Sequence, residues 1–401
     1  MNSVDIIVVG GGMVGLSAAL SAANNGYQVA VADAAPAPQK ASDAISNRVS
    51  AINLNSQHWL TQLGAWQGIE AQRATPFQWM HVWQSDQPGE VTLKGSDLAG
   101  QTGASELGHI VENNVVASAL HQQAQAHANI QLFQHVQCQQ LNLGEREAWL
   151  TLEDGTMLGA QLVVAADGAN SWCRQQASLP ITFRDYGHHA IVATVKTQRP
   201  HEHCARQAFT EHGPLAFLPL HQPDLCSIVW SVPPEVATEI SALDNPAFAK
   251  KLTAAFDATL GVCELVSQPT VIPLTMRYAR QWLKPRLVLM GDAAHTIHPL
   301  AGQGVNLGFG DAQAWAEQLQ ALANRSNQDE VLDLGDVNHW RGYERARKAA
   351  AMEMIAGMDA IKFTFSAHPA PLKTLIGLGM NLVDKAPVIK TQLIKKAMGL
   401  V

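Results

Sequence analysis

The chain has 401 residues, enough for two or three domains with sizeable cores, and 47% of them are hydrophobic, a globular balance. A net charge of -7, without clustered Lys and Arg, excludes a nucleic-acid binder, because neutralising phosphates needs such clusters. Only 15% of residues are charged, below the roughly 25% of soluble domains, a shortfall consistent with surface covered by a partner or a membrane.

The first twenty residues are apolar but lack a basic leader region and carry Asp5 and a glycine cluster, so they do not read as an export signal. No uncharged apolar run reaches the roughly 18 to 20 residues of a membrane span. The five cysteines (Cys138, Cys173, Cys204, Cys226 and Cys263) are scattered, odd in number and without a CxxC pair, which fits a reduced cytoplasmic compartment.

Residues 5–9 (DIIVV) predict a strand that runs into Gly10-Gly11-Gly12-Met13-Val14-Gly15, a G-x-G-x-x-G in its strand, turn and helix context. The helix should reach about Asn25. A second strand, 28–32, closes on Asp33, 23 positions after Gly10 and near the expected spacing of about 20. Gly10 permits the tight turn, Gly12 admits a pyrophosphate, Gly15 lets helix meet strand, and Asp33 can bind ribose hydroxyls.

Residues 160–166 (AQLVVAA) form another apolar strand, ending in Asp167-Gly168-Ala169-Asn170-Ser171, with Arg174 beyond; Ser171 and Arg174 can fix that loop. From 186 to 232 the pattern alternates as AIVATVKT, ARQAFT, LAFLPL and CSIVWSV. This predicts an antiparallel sheet as a substrate floor, with 77–93 adding strands and the chain leaving it near Ile272. His201-Glu202-His203-Cys204 looks like a metal cluster but follows Pro200 and has no second ligand group at zinc spacing, so it reads as a loop and no metal site is expected. His188 and His189, at a strand entrance, read as structural.

The strongest signal is GDAAHTIHPLAGQGVNLG, 291–308, after the apolar run 287–290. A carboxylate at the carboxyl end of a parallel strand sits at the ligand edge, where Asp292 can accept hydrogen bonds from a polyol. Gly302, Gly304 and Gly308 let backbone approach a flat group, and Ala312, Trp315, Leu319 and Leu322 mark a helix whose N-terminus favours an electron-rich partner. His295 and His298 lie inside this motif without an assignable acid or base role. The tail begins with an amphipathic basic helix near Trp340. It continues with one apolar face at Leu372, Leu375, Ile376, Gly379, Met380 and Val383 and another at Ile389, Leu393, Ala397 and Leu400, faces that either cover the core or rest on a bilayer. There is no G-x-S-x-G, no Walker loop and no second dinucleotide fingerprint.

The three motifs GGGMVG, DGANSWCR and GDAAHTIHPLAGQGVNLG, in this order, resemble the class A flavoprotein monooxygenases typified by para-hydroxybenzoate hydroxylase. NRVSAIN (47–53), LGHIVEN (107–113), ARQAF and LAFLPL are similar to the bacterial ubiquinone-biosynthesis hydroxylases, and HHAIVATV and CSIVWSV to their 2-polyprenylphenol hydroxylase branch. The resemblance implies an α/β fold: a Rossmann-like FAD-binding domain (1–75, 101–180, 273–335), an inserted antiparallel β-sheet substrate domain (76–100, 181–272) and a C-terminal helical region (336–401). It implies that Gly10, Gly12, Gly15 and Asp33 hold the ADP half of FAD, with Arg48 near the cofactor and Asp167 near its pyrophosphate. Asp292 would bind the ribityl chain, and Pro299 with Gly302, Gln303, Gly304, Val305 and Asn306 would face the isoalloxazine.

The implied reaction hydroxylates the ring of a polyprenylated phenol with O2 and NAD(P)H through a flavin C4a-hydroperoxide; no catalytic side chain is assigned, and the reductant would bind transiently. A flavin dehydrogenase or oxidase and a non-catalytic flavin-fold subunit are the alternatives. Cytoplasmic location, peripheral contact with the inner face of the membrane, membership of a ubiquinone-biosynthesis complex and a homo-oligomer complete the expectations.

Overall fold

The computed structural model describes residues 2–42, 45–85, 89–297, 304–326, 332–365 and 370–400. Near-continuous runs of Val, Ile, Leu and Ala build a six-stranded sheet buried on both faces, in the order Leu283–Lys284, Leu287–Leu289, Leu162–Ala165, Ile6–Val9, Val29–Asp33, Ile130–Gln134. All neighbours are parallel except the edge pair 283–284 with 287–289. Val164 stands opposite both Val8 and Val288, and Val8 opposite Val31, so these four strands end level. The chain moves from Ile6–Val9 to one neighbour, Val29–Asp33, and later returns to the other, Leu162–Ala165. That reversal opens a crevice at their carboxyl ends, where Gly10, Asp167 and Asp292 follow.

The helix Gly304–Ser326 buries Ala312, Trp315, Leu319 and Leu322 against this sheet, as the spacing predicts, and Trp315 stacks on Trp340 with centroids 5.8 Å apart. Burying each large side chain contributes about 1.5–3 kcal/mol.

A second sheet runs His295–Thr296, Thr270–Ala279, Ile181–Thr197, Leu225–Val232, Gly213–Pro219, Cys204–Thr210, Trp79–Gln84, Glu90–Lys94, with Cys263–Leu265 also on Ile181–Thr197. It is antiparallel except where Cys204–Thr210 meets Trp79–Gln84 in parallel, so 79–94 does add two strands. Period-two alternation separates its faces. Ile191, Ala193, Ile228 and Trp230 pack on Phe248, Leu252 and Phe256 of the helix side. On the opposite face Ala190, Val229, Leu274 and Met276 cluster with Ile297 and Ile355.

The last helices, Ala370–Asp384 and Pro387–Ala397, lie along the free edge strand Glu90–Lys94. Glu90 N–H donates to Asn381 Oδ1 (3.2 Å) and Thr92 N–H to Asp384 Oδ1 (3.0 Å). Their buried anchors are Met380, Ile394 and Met398, whereas Ile389, Leu393 and Leu400, expected to share one apolar contact face, are exposed.

Candidate cofactor and active site

Each glycine of the first turn meets a different demand. Gly10 adopts φ +107, and a Cβ there would overlap the carbonyl of Ala166. A Cβ on Gly15 would overlap the carbonyl oxygen of Gly10, which fixes the close approach of helix to strand. Gly12 is the opposite case: nothing lies within 4 Å of its would-be Cβ, and it begins the helix Met13–Asn24 with no side-chain cap. The first-turn N–H groups of that helix therefore have no side-chain cap, as a site for an anionic group requires. Asp33 accepts from Gly11 N–H (2.5 Å) and Ala35 N–H (2.7 Å), one bond to each carboxylate oxygen, which fixes it at the end of its strand.

In the next loop Asp167 Oδ2 accepts from Cys173 N–H at 2.9 Å, while its buried Oδ1 has no partner among the described residues. A buried acceptor left unmet costs about 1–3 kcal/mol, so this oxygen calls for a hydrogen-bond donor. Ser171 caps the short helix Trp172–Gln176 through Arg174 N–H, and the Arg174 guanidinium donates to Ala169 O and Ala293 O. Ser171 and Arg174 thus fix the loop as expected, and Arg174 also joins it to the Asp292 loop.

Gly291 takes φ +57 against Val14, and Asp292 follows. Asp292 keeps accessible surface inside a cleft, yet protein crowds it. Desolvation therefore pushes its carboxyl above the usual range, Asp311 adds to the shift, and His295, Arg48 and Arg277 oppose it. Arg48, exposed, therefore lies near Asp292. Asp292, His295, Ile297, Gly304, Leu307, Met354 and Met358 line the cleft.

The loop's conformation rests on Asp311, which is 0% exposed. It accepts from Gly291 N–H (2.9 Å) and from Arg347 Nε (2.7 Å), and its Oδ2 lies 2.5 Å from His295 Nε2. His295 is thereby committed to a buried network, with the Trp282 ring beside it, centroids 5.0 Å apart and planes tilted by 31°. Asp311 and Arg347 were not among the residues expected at the site.

Gly304 lines the cleft and Val305 packs partly against the main core. The side chain of Asn306 turns away to strand Val49–Asn53, donating to Ala51 O and accepting from Asn53 N–H. Gly308, expected to approach a flat ligand, instead admits Val14: a Cβ there would come 2.7 Å from Val14 Cγ2. Pro299, Gly302, Gln303 and His298 lie outside the described residues.

The remaining sequence candidates have structural partners. His201 Nε2 contacts the carbonyls of Leu220 and Gln222, and His203 Nδ1 that of Pro76, so these rings brace main chain. Burial pushes the Cys138 and Cys204 thiols up to about 12, too high for thiolate chemistry at neutral pH.

A doubly covered parallel sheet, a glycine turn opening onto a helix N-terminus and two acid-bearing loops beside a sheet floor define a dinucleotide-binding flavoprotein fold. The chain belongs to the FAD-binding domain family, whose model matches residues 3–356. It is 34% identical over 397 residues to the 3-demethoxyubiquinol 3-hydroxylase of Escherichia coli K12, covering 99% of this chain and 98% of the relative. It is 32% identical to the ubiquinone hydroxylase UbiL of Rhodospirillum rubrum, covering 98% and 89%. The p-nitrophenol 4-monooxygenase PnpA of Pseudomonas putida shares the fold, with a TM-score of 0.79 over 99% of both chains at 18% identity.

Proposed function

We propose that this FAD-dependent monooxygenase hydroxylates the aromatic ring of a polyprenylated phenol in ubiquinone biosynthesis, taking its electrons from NAD(P)H and its oxygen from O2. The observation that carries the reading is the convergence of the Gly10 turn, the unmet Asp167 oxygen and the Asp292 cleft on one crevice, in a chain matched end to end by ubiquinone-pathway hydroxylases.

Gly10, Gly12 and Gly15 would hold the pyrophosphate and Asp33 the adenosine ribose, with Arg48 and Asp167 flanking the phosphates. Asp292 would bind the ribityl chain. Pro299 and the 302–306 backbone would face the isoalloxazine. Bound FAD supplies the oxygen activation; the chain orients the ring, excludes water and places the positive end of the helix Gly304–Ser326 beside the cofactor. The face bearing Ala190, Val229, Leu274 and Met276 offers an apolar floor to a ring.

Among the described residues no helix is long and apolar enough to cross a membrane. Exposed Leu375, Leu378 and Leu382 on one helix face support peripheral attachment at the inner face of the cytoplasmic membrane, where a polyprenyl substrate resides. A homo-oligomer or a biosynthetic complex would cover the same surface.

The test is purified protein with NAD(P)H, a prenylated phenol and isotopically labelled O2. Flavin absorbance with one labelled oxygen atom in the product supports the proposal. Reductant consumption with unlabelled product would instead indicate a dehydrogenase or oxidase. Protein that cannot be loaded with FAD would indicate a non-catalytic subunit.

A further inference from the structure

The sheet and the helix Arg341–Thr364 flank a second, partly open cavity of about 250 Å³, beneath the turn joining Cys204–Thr210 to Gly213–Pro219. Tyr186, Phe209, Pro214, Met358, Ile361 and Phe365 give it apolar walls. Phe365 lies flat on Phe209, with centroids 3.6 Å apart and planes 7° from parallel. Among its charged lining groups, Lys362 donates from Nζ to Tyr186 O, and Glu211 and His212 stand exposed at the turn. The interior therefore suits hydrocarbon rather than a polar ligand.

The helix links this cavity to the Asp292 cleft. Met354 and Met358 line the cleft, whereas Met358, Ile361 and Phe365 line the second cavity. Spacings of four, three and four place all four on one helical face, and Met358 is common to both spaces. A methionine at that junction is unbranched and adaptable, so it can let a chain pass where a branched side chain would block it.

We propose that the second cavity is a subsite for the isoprenoid tail, taking the units nearest the ring while the ring lies on the apolar face of Ala190, Leu274 and Met276, which Tyr186 joins to this cavity. This rests on the prenylated-phenol reading above. At about 250 Å³ the space is smaller than the roughly 300–1,000 Å³ of drug-sized sites, so it holds only the start of a long tail. The remainder leaves past the exposed Glu211–His212 turn and the C-terminal end of the helix, where Phe363 is 74% exposed.

The test uses FAD-loaded enzyme and a series of phenols carrying zero to four isoprene units. For the wild type, KM should fall about tenfold for each of the first one or two units and then level off as the chain reaches the mouth. Ile361→Trp, which fills the cavity, and Ile361→Asp, which charges it, should raise KM for the diprenyl phenol at least tenfold. Turnover of the chainless phenol should stay within about twofold, with flavin content reporting folding. Equal changes for chainless and prenylated phenols, or none, would overturn the subsite.

If no phenol is oxygenated, the activity reading fails by itself, and calorimetric titration with geraniol decides the subsite. Saturable binding lost in Ile361→Trp supports it; binding that is absent, or equal in both proteins, refutes it.

Discussion

Arg174 donates from Nη1 to Ala293 O at 2.8 Å and from Nη2 to Ala169 O at 2.9 Å, so one buried guanidinium spans the two loops that carry Asp167 and Asp292. The strands feeding those loops, Leu162–Ala165 and Leu287–Leu289, are parallel neighbours, and Arg174 holds their ends at a fixed separation. Arg174→Ala would leave both carbonyls without this donor. A hydrogen bond to a charged group contributes about 1.5–3 kcal/mol, so FAD affinity should fall roughly tenfold to a hundredfold. Arg174→Lys, lacking the fork, should recover only part of it. Fluorescence titration of apoprotein with FAD measures this, and an unchanged Kd in the alanine variant would refute the spanning role.

Gly12 and Gly15 should respond in opposite ways to the same added methyl group. Gly12→Ala meets open space, so the apoprotein should fold with nearly wild-type stability while FAD binding collapses, because the methyl occupies the pyrophosphate's approach. Gly15→Ala would strike the carbonyl of Gly10 and should lower the denaturation midpoint even without cofactor. Urea unfolding of both apoproteins separates the cases. Equal destabilisation would remove the distinction between ligand clearance and chain packing.

The glycine turn, Asp33, the Asp167 loop and the Asp292 loop were legible because each needs particular residue types at fixed spacing beside an apolar strand. Asp311 was not. In a helical stretch an acid ordinarily reads as surface charge, and its one sequence signal is position: it precedes Trp315 by four residues and therefore lies on the buried stripe. The tail's two readings, core cover or bilayer contact, were left open for a related reason. Pro387–Ala397 is apolar on two faces, and only contact with the edge strand Glu90–Lys94 decides that Ile394 is buried while Ile389 and Leu393 face outward.

Asp311 also predicts a pH dependence. Burial raises its carboxyl, but His295 and Arg347 outweigh that and hold it below the ordinary carboxylate range. The native state therefore favours the ionised form. Its stabilising contribution is complete above the ordinary carboxylate range and fades as pH falls through the depressed value. Asp311→Asn should cost about 3–5 kcal/mol at neutral pH, because Arg347 keeps its charge without its buried partner. The gap from wild type should narrow in acid. Urea midpoints measured from neutral pH downward check both the size and the sign; a gap that widens in acid would contradict the assignment.

The C-terminal helices should separate edge protection from surface binding. Asn381 and Asp384 accept the outward N–H groups of Glu90 and Thr92, blunting a strand edge that would otherwise template association. Replacing both by Ala should cost about 1–3 kcal/mol and make self-association concentration-dependent, visible by sedimentation. The opposite face presents Leu375, Leu378 and Leu382, the last 70% exposed. Changing these three to Gln removes no described core contact, so each should move stability by no more than about 0.5 kcal/mol. If this face is the membrane contact, the same triple change should abolish co-sedimentation with anionic phospholipid vesicles while flavin content and turnover of a short-chain phenol persist. Vesicle binding that survives the triple change would assign the leucines to another partner surface.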